Sequence, residues 1–289
     1  MNKANLKSAL LIFIIYVACF TAVMPFSLIQ GQSILLILLY MDLTLTLVIF
    51  LLSLLFQNSS FYDPFWSCVP WALTLFEMFN QHSWTATSII YFAALSFWSW
   101  RLTINWFLTF RGLQDQDWRY EDLKAKNPKL YPLVSFFGIM LFPTALTYLG
   151  ALPGFFLVAQ RADFNPLIFL GFSFMILGTI FEIIADTALH RYLQDPAHAG
   201  QTCQRGIFRL SRHPNYLGEI MVWLGISLSI FVIPDLWPWF FCFVPIYLLF
   251  RFISIPMMEK HEIARRPDYQ AYRQVTSALL LLPPKKGNH

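Results

Sequence analysis

Residues 206–225 read GIFRLSRHPNYLGEIMVWLG. Arg209, Arg212 and His213 run directly into Pro214, and an apolar run follows. Proline is favoured at the first position of a helix, because its ring presets φ and the missing N–H would have had no partner there. The pattern predicts a helix that starts at Pro214 and enters a bilayer. Its free N–H groups and positive dipole end face the same place as the arginines. That is an anion-binding design at the mouth of a membrane helix. Asn215 and Glu219 are four residues apart and share one face. Glu219 falls just inside the apolar layer, where an unpaired carboxylate is costly and points to function.

The rest of the chain agrees with a membrane setting. Of its 289 residues, 57% are hydrophobic and only 12% are charged. A soluble domain carries roughly 25% charged residues. Apolar runs fall near 9–29, 33–56, 66–79, 85–109, 131–158, 165–189, 215–233 and 237–257. Most approach the roughly 20 residues that span a bilayer. The third is short and contains Pro70. The expectation is an all-α polytopic membrane bundle of seven or eight transmembrane helices. The N-terminus, MNKANLKSALLIFIIYVACF, has basic residues before its apolar run and no clear small-residue cleavage site. It reads as a first transmembrane helix rather than a signal peptide.

Lys and Arg placement favours eight spans with a cytoplasmic N-terminus. Lys3, Lys7, Arg111, Arg119, Lys124, Lys126, Lys129, Arg191, Arg205, Arg209, Arg212 and most of the C-terminal tail then fall on the cytoplasmic side. Arg161 falls outside and Arg101 within a span. The net charge of +4 is dispersed among loops, which is no nucleic-acid signature. Cys19, Cys68, Cys203 and Cys242 lie far apart, so neither a metal site nor a disulfide framework is indicated. No repeat or long linker divides the chain, so residues 1–289 are expected to form one membrane domain.

Three cytoplasmic segments look chemically equipped: 110–124, the loop and helix start from His190 to Glu219, and 259–274 with Tyr269 and Tyr272 three apart. Together they suggest a cap over a pocket open to the cytoplasm. Glu182 and Asp186 are one turn apart near the inner end of the sixth span, and Asp42, Glu77 and Arg101 sit in others. Arg101 paired with a carboxylate is the ordinary structural expectation. Glu182, Asp186 and Glu219 meet the Arg-rich loop and are weighted toward function.

SRHPNYLGE followed by an apolar helix resembles the steroid 5-alpha-reductase family of membrane reductases, most closely its bacterial branch. FYDPFWS (61–67), RGLQDQDWRY (111–120), EIIAD (182–186) and PDYQAYRQVTSALLLLP (267–283) add to the resemblance. It covers about residues 60–283, with the reductase-like region at about 110–283. The resemblance implies NADPH-dependent reduction of a carbon–carbon double bond conjugated to a carbonyl, in a lipophilic substrate from the bilayer of a bacterial inner membrane. Its cofactor contacts fall on Asp186, Arg191, Arg209, Arg212, His213, Asn215, Tyr216 and Glu219. Arg111, Arg119, Tyr120, Tyr269 and Tyr272 are further assignments. The family's Gln-Glu pair before a proline corresponds to Tyr62-Asp63 before Pro64. These residues are expected to donate a proton or orient the carbonyl. The family's partner tyrosine falls near Trp98, which has no O–H, so Tyr62 or Tyr91 is expected to substitute. These departures put a steroid substrate in doubt.

The chemistry of the residues agrees in part. NADPH carries a pyrophosphate and a 2′-phosphate, which call for several arginines. Arg191, Arg205, Arg209 and Arg212 are suited to that and favour NADPH over NADH. There is no GxGxxG, so membrane helices and their loops would have to hold the cofactor. An S-adenosylmethionine-dependent methyltransferase of the isoprenylcysteine carboxyl type is the alternative, since it shares the RHP-x-Y-x-G string. Its cofactor carries no phosphate, so dense arginines would be less needed.

Overall fold

The computed structural model describes residues 3–285; Met1, Asn2 and 286–289, including the last basic residue of the tail, lie outside it. Its regular elements are helices, with one isolated parallel bridge between Ser211 and Ser277. Helices α1 (Lys3–Val23), α2 (Ile34–Leu55), α3 (Phe65–Asn80) and α4 (Ala86–Thr109) form the first half. Short α5 (Trp118–Lys126) leads to α6 (Tyr131–Val134) and α7 (Phe142–Ala159). Then come α8 (Ile168–Gln194), α9 (Pro214–Leu228), α10 (Val244–Leu249), α11 (Ile255–Arg265) and α12 (Tyr269–Val275). Local chemistry sets several starts. The Ser33 and Thr85 hydroxyls accept the Leu36 and Ser88 N–H groups and open α2 and α4. Pro214 opens α9, as its position predicted.

Among the described residues, six helical stretches are long and apolar enough to cross a membrane: Asn5–Leu28, Ile34–Leu55, Tyr131–Ala159, Ile168–Gln194, Pro214–Val232 and Trp237–Arg265. The chain is an integral, multi-pass membrane protein. The two other predicted spans are helical but fall outside this set. Helix α3 has only 16 residues, and α4 mixes its apolar residues with Ser, Thr, Asn and Arg101. Many large apolar side chains, among them Phe13, Leu51, Leu55 and Phe252, point outward, as lipid contact allows.

Helices α8 and α9 approach each other closely because glycines meet glycines. A Cβ on Gly225 would lie 2.5 Å from the Gly171 carbonyl oxygen, and one on Gly178 would lie 2.5 Å from that of Gly218. The two glycines on each helix are seven residues apart, which keeps them on one face. Small residues let membrane helices pack backbone to backbone. This contact places Glu182 of α8 directly behind Gly218 of α9, with its Cγ 2.6 Å from where a Cβ would be.

Two π-turns interrupt the helices, at Ser135–Leu141 and at Phe250–Ser254. Each precedes a proline in the first turn of the next helix, Pro143 and Pro256. Proline donates no N–H and its ring crowds the carbonyl four residues back, so the turn ahead of it widens. The C-terminal segment lies along the loop before α9. Arg212 N–H donates to Ser277 O (2.8 Å), His213 N–H to Ala278 O (3.1 Å) and Leu282 N–H to Leu210 O (3.1 Å).

Candidate functional site

A cavity of about 480 Å³ opens among α4, the 110–117 loop, α5, α7, α9 and the second π-turn. Its apolar wall includes Trp66, Leu102, Trp106, Trp223, Leu249 and Phe250, and its polar wall includes Tyr62, Asp63, Arg111, Asp117, Arg119 and Tyr120. Both π-turns reach it, through Ile139 and through Phe250 and Ser254. π-turns recur at functional sites. The volume is that of a small-molecule pocket, and its lining is mixed, with polar and apolar residues in similar measure.

The polar wall is built by a clasp. Asn58 Nδ2 donates to the carbonyls of Leu113 (2.7 Å) and Asp115 (3.1 Å), Ser59 N–H donates to Gln116 Oε1 (2.8 Å), and Asp117 N–H donates to Ser60 Oγ (3.0 Å). These bonds bring the 113–117 loop against the residues before α3. Tyr120 O–H then donates to Asp63 Oδ1 at 2.8 Å. Arg119 is held by Asp117, at 2.7 and 2.9 Å from its two carboxylate oxygens. Burial pushes Asp63 up to about 6, against the lowering effect of the Tyr120 bond and the Arg119 charge. Burial also pushes Tyr120 well up, so it keeps its proton.

A second polar group lies between α4, α8 and α9. Arg101 pairs with Glu182 at 2.5 Å and also with Asp186. Asn215 Nδ2 donates to Asp186 Oδ1 (3.4 Å), and Trp98 Nε1–H donates to Glu219 Oε2 (3.3 Å). One arginine thus serves two carboxyls, and Glu219 relies on the Trp98 N–H. Glu182 Oε1 and Glu219 Oε1 are buried without a hydrogen-bond partner. The Trp98 ring packs edge-on against Trp66 (6.0 Å) and Trp223 (5.3 Å), both on the cavity wall. A tryptophan triad therefore separates Glu219 from the cavity and joins the two places mechanically.

The third group is the cap. Glu259 of α11 is 3% exposed and receives Arg212 (2.7 Å), His213 (3.3 Å) and Arg273 (2.9 Å). Arg212 also donates to the carbonyls of Arg273 (2.9 Å) and Thr276. Its guanidinium is therefore committed to fastening the C-terminal segment. Tyr269 and Tyr272 are buried within this cap, and Tyr272 O–H donates to the Phe208 carbonyl. Burial raises Asp268, but bonds from Thr202 (2.7 and 2.9 Å) and Gln204 outweigh it and hold Asp268 below the usual carboxylate range.

The residues predicted from the sequence thus fall in different places. Tyr62, Asp63, Arg111, Arg119 and Tyr120 line the cavity. Asp186, Asn215 and Glu219 form the α8–α9 group. Arg212, His213, Tyr269 and Tyr272 belong to the cap. Tyr216 bridges, stacked on His213 (5.3 Å) and packed against Phe250 (4.9 Å) of the cavity wall. Arg191 and Arg209 are exposed, and with Arg111 they make no ion pair among the described residues. Tyr91 is not brought to the cavity. It is fully buried beside Phe172 and over Gly154, where a Cβ would lie 1.9 Å from its hydroxyl. Sequence reasoning missed Glu259, Trp223 and the Asn58 clasp. Glu259 opens the 259–274 segment, but nothing in that segment marked it as the partner of Arg212.

A profile described as a protein of unknown function, DUF1295, matches residues 49–276. A protein of Schizosaccharomyces pombe, described as uncharacterized, is 26% identical over 262 residues, which cover 81% of this chain and 75% of that protein. No solved structure matches. The chain belongs to the DUF1295 family.

Proposed function

We propose that this DUF1295 member is an NADPH-dependent membrane reductase that transfers hydride to a carbon–carbon double bond conjugated to a carbonyl in a lipophilic substrate. One observation carries this reading: aromatic side chains and Asp63 line the same cavity, and burial raises that acid to about 6, so that it keeps its proton into the mildly acidic range. The resemblance of SRHPNYLGE and its companion segments to the steroid 5-alpha-reductase type supplies the reaction class. Bound NADPH would supply the hydride.

The residues present fit that cofactor. Arg111 on the cavity wall and exposed Arg191 and Arg209 are cations without ion partners, suited to phosphates. In the substrate chamber, protonated Asp63 donates a hydrogen bond to the carbonyl oxygen and stabilises the enolate as charge develops there. Tyr120 holds Asp63 in place through its 2.8 Å bond. The aromatic wall excludes water and seats a flat apolar body. In this reading α3 and α4 complete eight spans, and the Arg-bearing loops and the C-terminal cap face the cytoplasm over a reductase region at about 110–283.

Thermal unfolding of the detergent-solubilised full chain with NADPH, NADH and S-adenosylmethionine tests the reading. NADPH is expected to stabilise most, and Arg209→Ala and Arg111→Ala to reduce the shift. Arg212→Ala is a poor probe, because that arginine holds the cap. Stabilisation by S-adenosylmethionine alone would replace the reductase with a methyltransferase.

A further inference from the structure

Tyr62 on the cavity wall has one phenolic proton, and the protein itself claims it. The hydroxyl lies 2.9 Å from Thr144 Oγ1, which lies 3.0 Å from Thr46 Oγ1. Thr46 Oγ1 is 2.8 Å from the backbone carbonyl of Asp42, one turn back in α2. There are three hydroxyl protons and three hydrogen bonds. A carbonyl oxygen only accepts, so the Thr46 proton points at Asp42. Thr46 then offers Thr144 only lone pairs, so Thr144 donates to Thr46. Thr144 in turn offers Tyr62 only lone pairs, so Tyr62 donates to Thr144. No other orientation makes all three bonds. Tyr62, Thr144 and Thr46 are 2%, 1% and 0% exposed, and at such depth an unmade bond is costly.

We infer that Tyr62 serves the cavity's ligand as a hydrogen-bond acceptor alone, and that this ligand is a lipophilic molecule bearing a hydroxyl group. This assignment rests on the reading of the cavity as the substrate chamber, and it leaves Asp63 as the acid of the Tyr62-Asp63 pair. A bare carbonyl placed against the Tyr62 oxygen sets two acceptors face to face. A hydroxyl there donates and is retained. The substrate class that follows is an enone that also carries a hydroxyl.

The test uses the full chain in lipid nanodiscs with 9-fluorenol and 9-fluorenone, which share one flat skeleton and differ in hydroxyl against carbonyl. At a pH above the Asp63 titration, where that acid has no proton to give fluorenone, fluorenol is expected to bind roughly tenfold more tightly, the worth of one good hydrogen bond. Tyr62→Phe brings the two within about twofold of each other by the same reasoning. Thr144→Val discriminates best. Thr144 does not line the cavity, yet its loss releases the Tyr62 proton toward the ligand, so fluorenone gains and the preference vanishes or inverts. Thr46→Val, which frees Thr144 to donate to Tyr62, moves the preference the same way if Thr144→Val does not fold. Thr144→Ser keeps the chain and the preference. Equal binding in the native protein, a fluorenone preference, binding of neither probe, or a preference untouched by both valine variants would each overturn the assignment. NADPH binding separates the two readings. If it is absent while the fluorenol preference responds to Thr144→Val, the reductase fails and the acceptor role of Tyr62 stands. If NADPH binds and the preference is absent, the reverse holds.

Discussion

In the proposed reductase, Asp63 is the residue on which the chemistry turns. Its carboxyl titrates at about 6 because burial opposes its charge. If its protonated form does the work, turnover falls as pH rises through about 6, since the proton leaves in that range. Asp63→Asn is expected to remove this limb and lower kcat by about 10²–10⁴-fold, the usual worth of a general acid, with little change in NADPH affinity. Loss of NADPH binding alone would contradict this division of roles. Tyr120→Phe removes a bond that stabilises the carboxylate. The Asp63 value then rises, and the limb of the pH–rate profile shifts to higher pH. A shift to lower pH would show that Tyr120 acts differently. The pair was only half legible in the chain. Each residue stood out in a recognisable segment, but 57 positions separate them, and only the Asn58 clasp brings them together.

Between helices, the α8–α9 contact decides where Glu182, Asp186, Asn215 and Glu219 meet. The shared face of Asn215 and Glu219 followed from spacing, and both do point toward neighbouring polar side chains. Gly171, Gly178, Gly218 and Gly225 were equally visible, but their seven-residue spacing has meaning only when two helices are set face to face. Gly225→Ala puts a Cβ 2.5 Å from a backbone oxygen, with Met175 atoms at 2.8 Å. Backbone cannot yield as a side-chain tip can, so a loss of about 1–3 kcal/mol or more is expected. Gly138→Ala is the control, because its nearest such neighbour is Val134 Cγ1 at 4.0 Å. It is expected to change stability by less than about 1 kcal/mol. Thermal unfolding of both variants in one detergent checks the contrast, and equal losses would refute the close contact.

Across the fold, Glu259 ties the cap to the bundle. Replacing it by Gln leaves the buried Arg212 without its carboxylate and takes away the partner of the half-exposed Arg273. Removing one partner of a buried pair costs about 3–5 kcal/mol. Glu259→Gln is therefore expected to loosen the 275–285 segment and expose it to protease before the bundle unfolds. Cleavage at the native rate would mean that the bridge and the tail's backbone bonds suffice alone. Arg212 illustrates the difficulty of reading such a residue from sequence. Its place before Pro214 suggested an anion site, whereas its partner lies 47 positions onward.

Composition and apolar run length were enough to establish a helical, multi-pass membrane protein. Lipid imposes that much, because a backbone without water must satisfy its hydrogen bonds internally. Pro214 was enough to place the start of α9, since the preference of proline for a first helical position is local. What required the tertiary structure was partnership: Asp63 with Tyr120, Arg101 with Glu182 and Asp186, Glu259 with Arg212, and the hydroxyl chain from Tyr62 to Asp42. Such pairs depend on which helix faces meet, and that is settled by packing across the bundle rather than by periodicity within any one helix.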